Sequence, residues 1–539
     1  MSKPENNMSM TGDAPAAIST TQKIASGIGL LGLFIMVLAI FNVNFPNKTL
    51  FLSLSIILIT AGTIIFANDA YLGKHAGIKN DGVWFKNLTN RGFWAWVTGI
   101  VLTLFYIVLY WYPEYLGLTA EGSNTGIIAL FDPLSRLISG VPASQWFVYG
   151  TLYTLAILVF GYKFILKYRH NKYEVLRTYS VMFFQLGFAF LIPEILIRLN
   201  QPYFNPANIW PLNYDLFSGY KVEEFFSAGN IGMIMLIFGI LSIFVITPIL
   251  TYKYGKRWYC SWVCGCGGLA ETAGDPYRHL SDKSRAAWKL ERWMVHSVLV
   301  FVVVMTIAVV YSYLGDDPSE TWLTRDVFLW GSAGLLVLLF AVIMIFRKDQ
   351  LAKDAKQGAI VSLSVILTII GINYFTGNNN IFFFDGHQLR AWYGFLIGAA
   401  FSGVIGVGFY PIFGNRVWCR FGCPMAAILG MQQRLFSRFR ITTNGGQCIS
   451  CGNCSTYCEM GIDVRAYAQK GENIIRSSCV GCGICSAVCP RGVLKLENGP
   501  REGRINSQEV LLGNDVNLMD LLNQDRSAMG GTPRGKNQD

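Results

Sequence analysis

Charge is scarce in this chain. Asp, Glu, Lys and Arg make up 14% of its 539 residues while 52% are hydrophobic, a balance too apolar for a soluble globule of this length. Histidine is scarcer still: His75, His170, His279, His296 and His387. Only His296 lies near an apolar run, and no second histidine is placed to face it. A b-type haem with two axial ligands is therefore not expected. The C-x-x-C-H attachment site of a c-type haem is missing. The polar first twenty residues lack a basic n-region and a cleavage site, so they do not read as a cleaved signal peptide.

What the chain has in quantity is long apolar runs. Ten stretches are long enough to cross about 30 Å of hydrocarbon. They lie near 24–43, 49–67, 92–112, 146–167, 179–198, 229–250, 293–314, 327–346, 358–376 and 391–413. Basic residues concentrate in alternate connections: Lys74, Lys79, Lys86 and Arg91; Lys167, Arg169, Lys172 and Arg177; eight between 251 and 292; and Arg347, Lys348, Lys353 and Lys356. The other connections hold Lys48, Arg136, Lys221, Arg325 and Arg390, one apiece. By the positive-inside rule the basic connections, both termini and the C-terminal region face the cytoplasm. The net charge of +11 follows from this bias, with no need for nucleic acid. All thirteen cysteines then fall on the cytoplasmic side, where metal or redox use is favoured over a disulfide framework.

Eight of those cysteines form one doubled motif. Cys448, Cys451, Cys454 and Cys458 have the spacing C-x2-C-x2-C-x3-C, and Cys479, Cys482, Cys485 and Cys489 repeat it, with Pro490 behind. Three thiolates at three-residue steps wrap one face of an iron–sulfur cubane, and the fourth reaches the other cluster. The expected sets are Cys448, Cys451, Cys454 and Cys489 for one [4Fe–4S] cluster, and Cys479, Cys482, Cys485 and Cys458 for the second. A pair of zinc knuckles fits this doubled run less well. Glu459 stands where the pattern usually has proline. A carboxylate beside a negatively charged cluster is expected to lower its potential.

A second duplication lies upstream. Tyr254-Gly-Lys-Arg257-Trp-Tyr-Cys260-x3-Cys264 and Phe413-Gly-Asn-Arg416-Val-Trp-Cys419-x3-Cys423-Pro424 share aromatic, Gly, Arg, aromatic and C-x3-C positions. Each copy follows a membrane hairpin. At helical spacing each pair puts both sulfurs on one face. Together Cys260, Cys264, Cys419 and Cys423 could hold a further iron–sulfur cluster or a soft metal such as Cu(I), act as a dithiol, or be packing cysteines. Cys266 is an additional thiol in the first copy.

Two other features stand inside the spans. Gly27, Gly29 and Gly32 make a formal G-x-G-x-x-G, but with no strand before it the glycines read as a close helix–helix contact. In the fifth run Glu194 and Arg198 sit at i, i+4 just after Pro193. They are either a catalytic pair at a quinol pocket, taking the proton that leaves with the electrons, or an interfacial ion pair. The following loop, with Trp210 and Tyr214-Asp215, could wall such a pocket, and the 113–145 connection could carry a short interfacial helix.

Paired C-x3-C elements beside membrane helices, followed by a doubled ferredoxin run, resemble the NapH/NosR-type membrane polyferredoxins, and the CcoG cytochrome oxidase assembly proteins are similar in their motifs. The resemblance covers roughly residues 179–500. Cys419 to Pro424 matches the family element in full, whereas Gly265 replaces its proline in the first copy. No Ser-Gly-Ala-Thr-like flavin attachment sequence and no C-terminal immunoglobulin-like domain accompany it.

The resemblance implies electron transfer between the quinone pool and a redox partner or respiratory complex subunit. A metal (copper) reductase or assembly factor and a redox-sensing membrane protein are the alternatives. The expected fold is mainly α, a polytopic membrane bundle of about ten transmembrane helices with a two-[4Fe–4S] ferredoxin-like domain on the cytoplasmic side of the inner membrane. Its layout is a polar tail over 1–23, membrane helices over 24–178, a polyferredoxin-type core over 179–440, the ferredoxin domain over 441–500 and a disordered tail over 501–539.

Overall fold

The computed structural model describes residues 18–72, 86–119, 123–316, 323–351, 353–377 and 384–499. Lys74, Lys79, His75 and a short helix expected near 516–524 lie outside the described residues.

Among the described residues nine helices are long and apolar enough to cross a membrane. They are α1 (Thr20–Ile40), α2 (Lys48–Tyr71), α3 (Phe93–Trp111), α4 (Gln145–Lys167), α5 (Lys172–Arg198), α6 (Asn230–Tyr254), α7 (Arg285–Gly315), α8 (Arg325–Phe346) and α9 (Lys353–Thr376). The tenth apolar run differs from expectation. It begins inside a helix, α10, that is α-helical over Gly386–Tyr393 and a π-helix over Gly394–Ile405. Its first turns carry His387, Gln388 and Arg390, which dilute the apolar stretch. The run then ends in a separate turn, Tyr410–Phe413.

Local chemistry sets many of the ends. Ser19 closes a capping box with Gln22, and Asn47, Ser144, Asn171 and Thr324 accept from the first turns of α2, α4, α5 and α8, satisfying otherwise orphaned amides. Wide turns precede two prolines. The π-helices Phe184–Leu191 and Ser242–Ile246 end just before Pro193 and Pro248, where an α-turn would clash with the ring.

Of the α1 glycines, Gly32 and the backbone of Gly29 meet α2 closely, as the membrane setting predicts, while Gly27 faces open space. A Cβ on Gly32 would stand 2.6 Å from the Ser55 carbonyl oxygen, and one on Gly62 2.6 Å from the Gly29 amide. Ser55 Oγ donates to the Gly32 carbonyl at 2.7 Å. The connection after α3 does carry a helix, Gly126–Ile138. One face of it packs inward, with Ile128, Leu130 and Phe131 buried in one core with Leu109 of α3 and Phe147 of α4.

The ferredoxin region is framed by two antiparallel strands, β1 (Phe439–Thr443) and β2 (Leu494–Asn498), with Ile441 opposite Leu496. One precedes and the other follows the doubled cysteine run. The largest buried core joins this region to both C-x3-C elements. It holds Cys260, Cys264, Cys419 and Cys423 together with Phe439, Ile441, Cys454, Cys479 and Cys485.

Candidate iron–sulfur and thiol sites

Each ferredoxin run folds by the same local device. Gly452 and Gly483 adopt φ of +82° and +93°, a left-handed conformation that glycine takes without steric cost. Each turns the chain into a one-turn helix, Asn453–Thr456 or Ile484–Ala487, so that successive thiols converge. The fourth cysteine of each run accepts a backbone N–H four residues on: Ile462 N to Cys458 Sγ at 3.4 Å and Val493 N to Cys489 Sγ at 3.3 Å.

The thiols gather in the crossed sets that the spacing predicts. Cys448, Cys451, Cys454 and Cys489 line one cleft, and Cys454 faces the other three. Cys485 faces Cys482, Cys479 and Cys458, with Cys454 of the neighbouring set also within reach. Burial pushes the Cys454 thiol up to about 12 and that of Cys479 to about 11. Such groups become thiolates only if a cation accompanies them. Two sets of four thiols in this state fit two iron–sulfur cubanes.

Beneath the second set lies an arrangement not read from the sequence. Eight buried charges alternate in sign: Lys167, Asp275, Arg278, Glu459, Arg416, Glu271, Arg177 and Glu174. Lys167 meets Asp275 at 2.7 Å, Arg278 meets Asp275 at 2.7 Å and Glu459 at 2.6 Å, and Arg416 meets Glu459 at 3.0 Å. Glu271 pairs with both Arg416 and Arg177, and Arg177 with Glu174 at 2.6 Å. The chain runs from α4 and α5 to the residue after Cys458. Glu271, Glu459 and the Cys482 thiol lie within 4.8 Å of one another, but Arg416 bridges the two carboxylates, so this is an ion-pair network. Glu459, expected from its place in the motif to lower the cluster potential, is thus a paired charge. Two guanidiniums and Asn415 Nδ2, at 3.0 Å, offset its field at the cluster and hold its carboxyl below the usual range despite burial.

The two C-x3-C elements are structural copies. Gly255 and Gly414, at matching positions, both have positive φ, +68° and +96°. Cys264 N donates to the Tyr259 carbonyl at 2.8 Å, and Cys423 N to the Trp418 carbonyl at 3.0 Å. Each pair is therefore joined by a wide turn and does not share a helix face, as the spacing alone suggested. The second thiol of each stands at the N-cap of a helix, Gly265–Thr272 or Pro424–Phe436. The four sulfurs converge: Cys423 faces Cys419, Cys260 and Cys264. Cys266 joins them through a hydrogen bond that, with Arg416 nearby, holds the Cys264 thiol down at about 7. Arg416 Nη1 also donates to Cys419 Sγ at 3.5 Å and the Cys260 carbonyl at 3.4 Å. One guanidinium thereby touches both the C-x3-C thiols and Glu459. Four buried thiols with a fifth beside them are a donor set suited to a cluster or a soft metal.

Glu194 and Arg198 are not brought to the cysteines, and they do not pair. Glu194 accepts from Ser139, and Arg198 donates to the Leu137 carbonyl. By helical rise Glu194 stands roughly 25 Å and Arg198 roughly 30 Å along α5 from Arg177. The loop from 199 to 218 does approach the thiols. Tyr259 Oη donates to the Ala207 carbonyl at 2.8 Å, and Ile209 packs in the core that holds Cys260 and Cys264.

Comparison with known proteins agrees with this layout. A family described as a 4Fe–4S dicluster domain matches residues 440–490. One described as a 4Fe–4S binding domain matches twice, over 236–285 and 395–442, once on each C-x3-C element. YccM of Escherichia coli (strain K12), named provisionally as an electron transport protein, is 23% identical over 209 residues, 39% of this chain and 43% of YccM. The match thus spans under half of the relative's length. No solved structure matches the chain. The chain is a multi-pass membrane protein that carries a 4Fe–4S ferredoxin domain at its C-terminal end.

Proposed function

We propose that this protein passes electrons between the membrane quinone pool and a second redox protein, as the NapH/NosR-type polyferredoxins it resembles do. Residues Cys448, Cys451, Cys454 and Cys489 would hold one [4Fe–4S] cluster and Cys479, Cys482, Cys485 and Cys458 the other, both at the cytoplasmic face. The electron-transport name of YccM and the double iron–sulfur match of the C-x3-C region support the reading. The single observation that carries it is the shared core: both ferredoxin sets and the C-x3-C thiols pack in one contiguous buried cluster. Electron tunnelling needs such proximity.

Bound clusters supply one-electron steps, and a quinol gives up two electrons with two protons. What the protein contributes is placement. Arg416 and Arg278 fix Glu459 and with it the loop of Cys458, while Cys266 and Arg416 favour thiolate at Cys264. A second reading, reduction of copper, rests on the five-thiol cluster, whose soft donors suit Cu(I).

Anaerobic purification with iron and acid-labile sulfide counts, followed by EPR on adding a reduced menaquinol analogue, tests the proposal. About eight irons are expected from two [4Fe–4S] clusters, about twelve if the C-x3-C thiols hold a third, with signals appearing on quinol addition. Clusters that respond to dithionite but neither to quinol nor to quinone would refute the quinone link. Stoichiometric Cu(I) bound at Cys260, Cys264, Cys419 and Cys423 would favour the copper reading.

A further inference from the structure

Four arginines from separate stretches of chain meet at the ferredoxin end of the bundle. Arg292 of α7 and Arg476 of the ferredoxin domain share one ring. Their guanidinium carbons stand 5.0 and 5.1 Å from the centre of Trp288, a cation–π distance. Arg434, on the helix Pro424–Phe436, donates from Nη2 to the Gln350 carbonyl in the α8–α9 connection at 3.0 Å. Its neighbour Gln433 donates from Nε2 to the Arg476 carbonyl at 2.9 Å. Arg347, at the end of α8, lies 5.5 Å over the ring of Phe436 on the Arg434 helix.

Like charges brought this close repel, and the carboxylates nearby are already engaged. Asp354, itself exposed, pairs with Arg292 at 2.7 Å. Glu291, which also faces Arg476, pairs with Arg420 at 3.1 Å. Burial, with Arg292 and Arg476 facing it, holds Arg434 below the usual arginine value, and Tyr467 and Asp354 offset this only in part. Arg347 Nε is buried with no hydrogen-bond partner among the described residues. The cluster is short of negative charge.

Its setting says what kind of anion would fit. Leu290 and Trp293 flank Arg292, and Ile345 and Phe346 precede Arg347; all four are more than half exposed, so apolar surface runs from the arginines into the bilayer. Guanidinium forks match phosphate oxygens, and basic pockets between membrane helices suit lipid head groups. A free phosphate has no use for the apolar flank. We propose that Arg292, Arg347, Arg434 and Arg476 bind the phosphate head group of an anionic membrane phospholipid, with its acyl chains along α7 and α8. The lipid bridges the ferredoxin domain, through Arg476 just upstream of Cys479, to the α8–α9 hairpin, whose helices are little buried by the rest of the chain. This site is independent of the quinone link.

The test titrates delipidated full-length protein in detergent with phosphatidylglycerol or phosphatidylcholine and counts bound lipid by native mass spectrometry. Wild type is expected to hold phosphatidylglycerol more tightly by about fivefold or more, and inorganic phosphate should not displace it. Arg434→Gln and Arg476→Gln should each weaken phosphatidylglycerol about fivefold, the worth of one basic side chain at an anionic surface. Lys253→Gln, which removes an exposed charge at the end of α6, should leave binding unchanged. Cluster EPR signals on dithionite reduction report that each variant is folded. If one arginine variant loses them the other decides, and if both do, the wild-type comparison of the two lipids decides. Equal retention of both lipids, wild-type affinity in folded arginine variants, or an equal loss in Lys253→Gln means diffuse interfacial charge and overturns the site. Saturable displacement by inorganic phosphate assigns the arginines to a soluble phosphate compound and overturns the lipid.

Discussion

Replacing Glu459 with Gln keeps the side-chain shape and removes one buried negative charge. Glu459 belongs to a group whose ligand atoms, including the Cys482 sulfur, lie within 4.8 Å of one another. At an effective dielectric of about 20, a unit charge about 5 Å away is worth ~3 kcal/mol, and one about 8 Å away ~2 kcal/mol. The reduced cluster carries more negative charge than the oxidised one, so losing the carboxylate favours reduction. At about 59 mV per 1.36 kcal/mol for one electron, the potential of the cluster held by Cys458, Cys479, Cys482 and Cys485 should rise by roughly 90–140 mV. The other cluster is farther away and should shift less.

The same substitution weakens the fold. Arg278 keeps Asp275 and Arg416 keeps Glu271, so the loss should fall at or below the lower end of the ~3–5 kcal/mol for breaking a buried pair. The assay is an EPR-monitored redox titration of wild type and Glu459→Gln at matched iron content. Equal shifts of both clusters, or a shift of that cluster below about 20 mV, roughly a twofold change in equilibrium, would refute the reasoning.

Three further outcomes follow from the geometry. Cys458→Ser should disturb the EPR signal of the cluster held by the second run, and Cys489→Ser that of the first. Disturbance confined to each cysteine's own run would sink the crossed assignment. A Cys260, Cys264, Cys419 and Cys423 four-serine variant should lose metal while both ferredoxin signals persist; unchanged metal content by mass spectrometry counts against a centre there. Gly32→Leu should drive α1 from α2 at a cost of about 1–3 kcal/mol or more, read as a lower Tm in detergent than that of Gly27→Leu, where a Cβ meets nothing within 4 Å.

The amino-acid sequence by itself determined the features written in short-range spacing. Three-residue cysteine steps fix which thiols can share a cubane, apolar length marks the helices, and the repeated Gly-x-Arg-x-aromatic-Cys flank announces two copies of one element. The small residues of α1 were legible for the same reason, since a helix face is set by neighbours three and four positions apart.

Tertiary structure decided what depends on distant partners. Glu194 and Arg198 have the spacing of an ion pair, but Ser139 and Leu137, brought up by Gly126–Ile138, are where their side chains turn. The motif shows Glu459 as a carboxylate beside a cluster, but not that Arg278, 181 residues earlier in the chain, folds against it. No local pattern carries the 199–218 loop to the C-x3-C region, where Tyr259 Oη donates to the Ala207 carbonyl. Burial raises the cost of an unpaired charge or hydroxyl, and burial is a property of the packed chain, so only the fold could say which of these groups are compensated and which still await a partner.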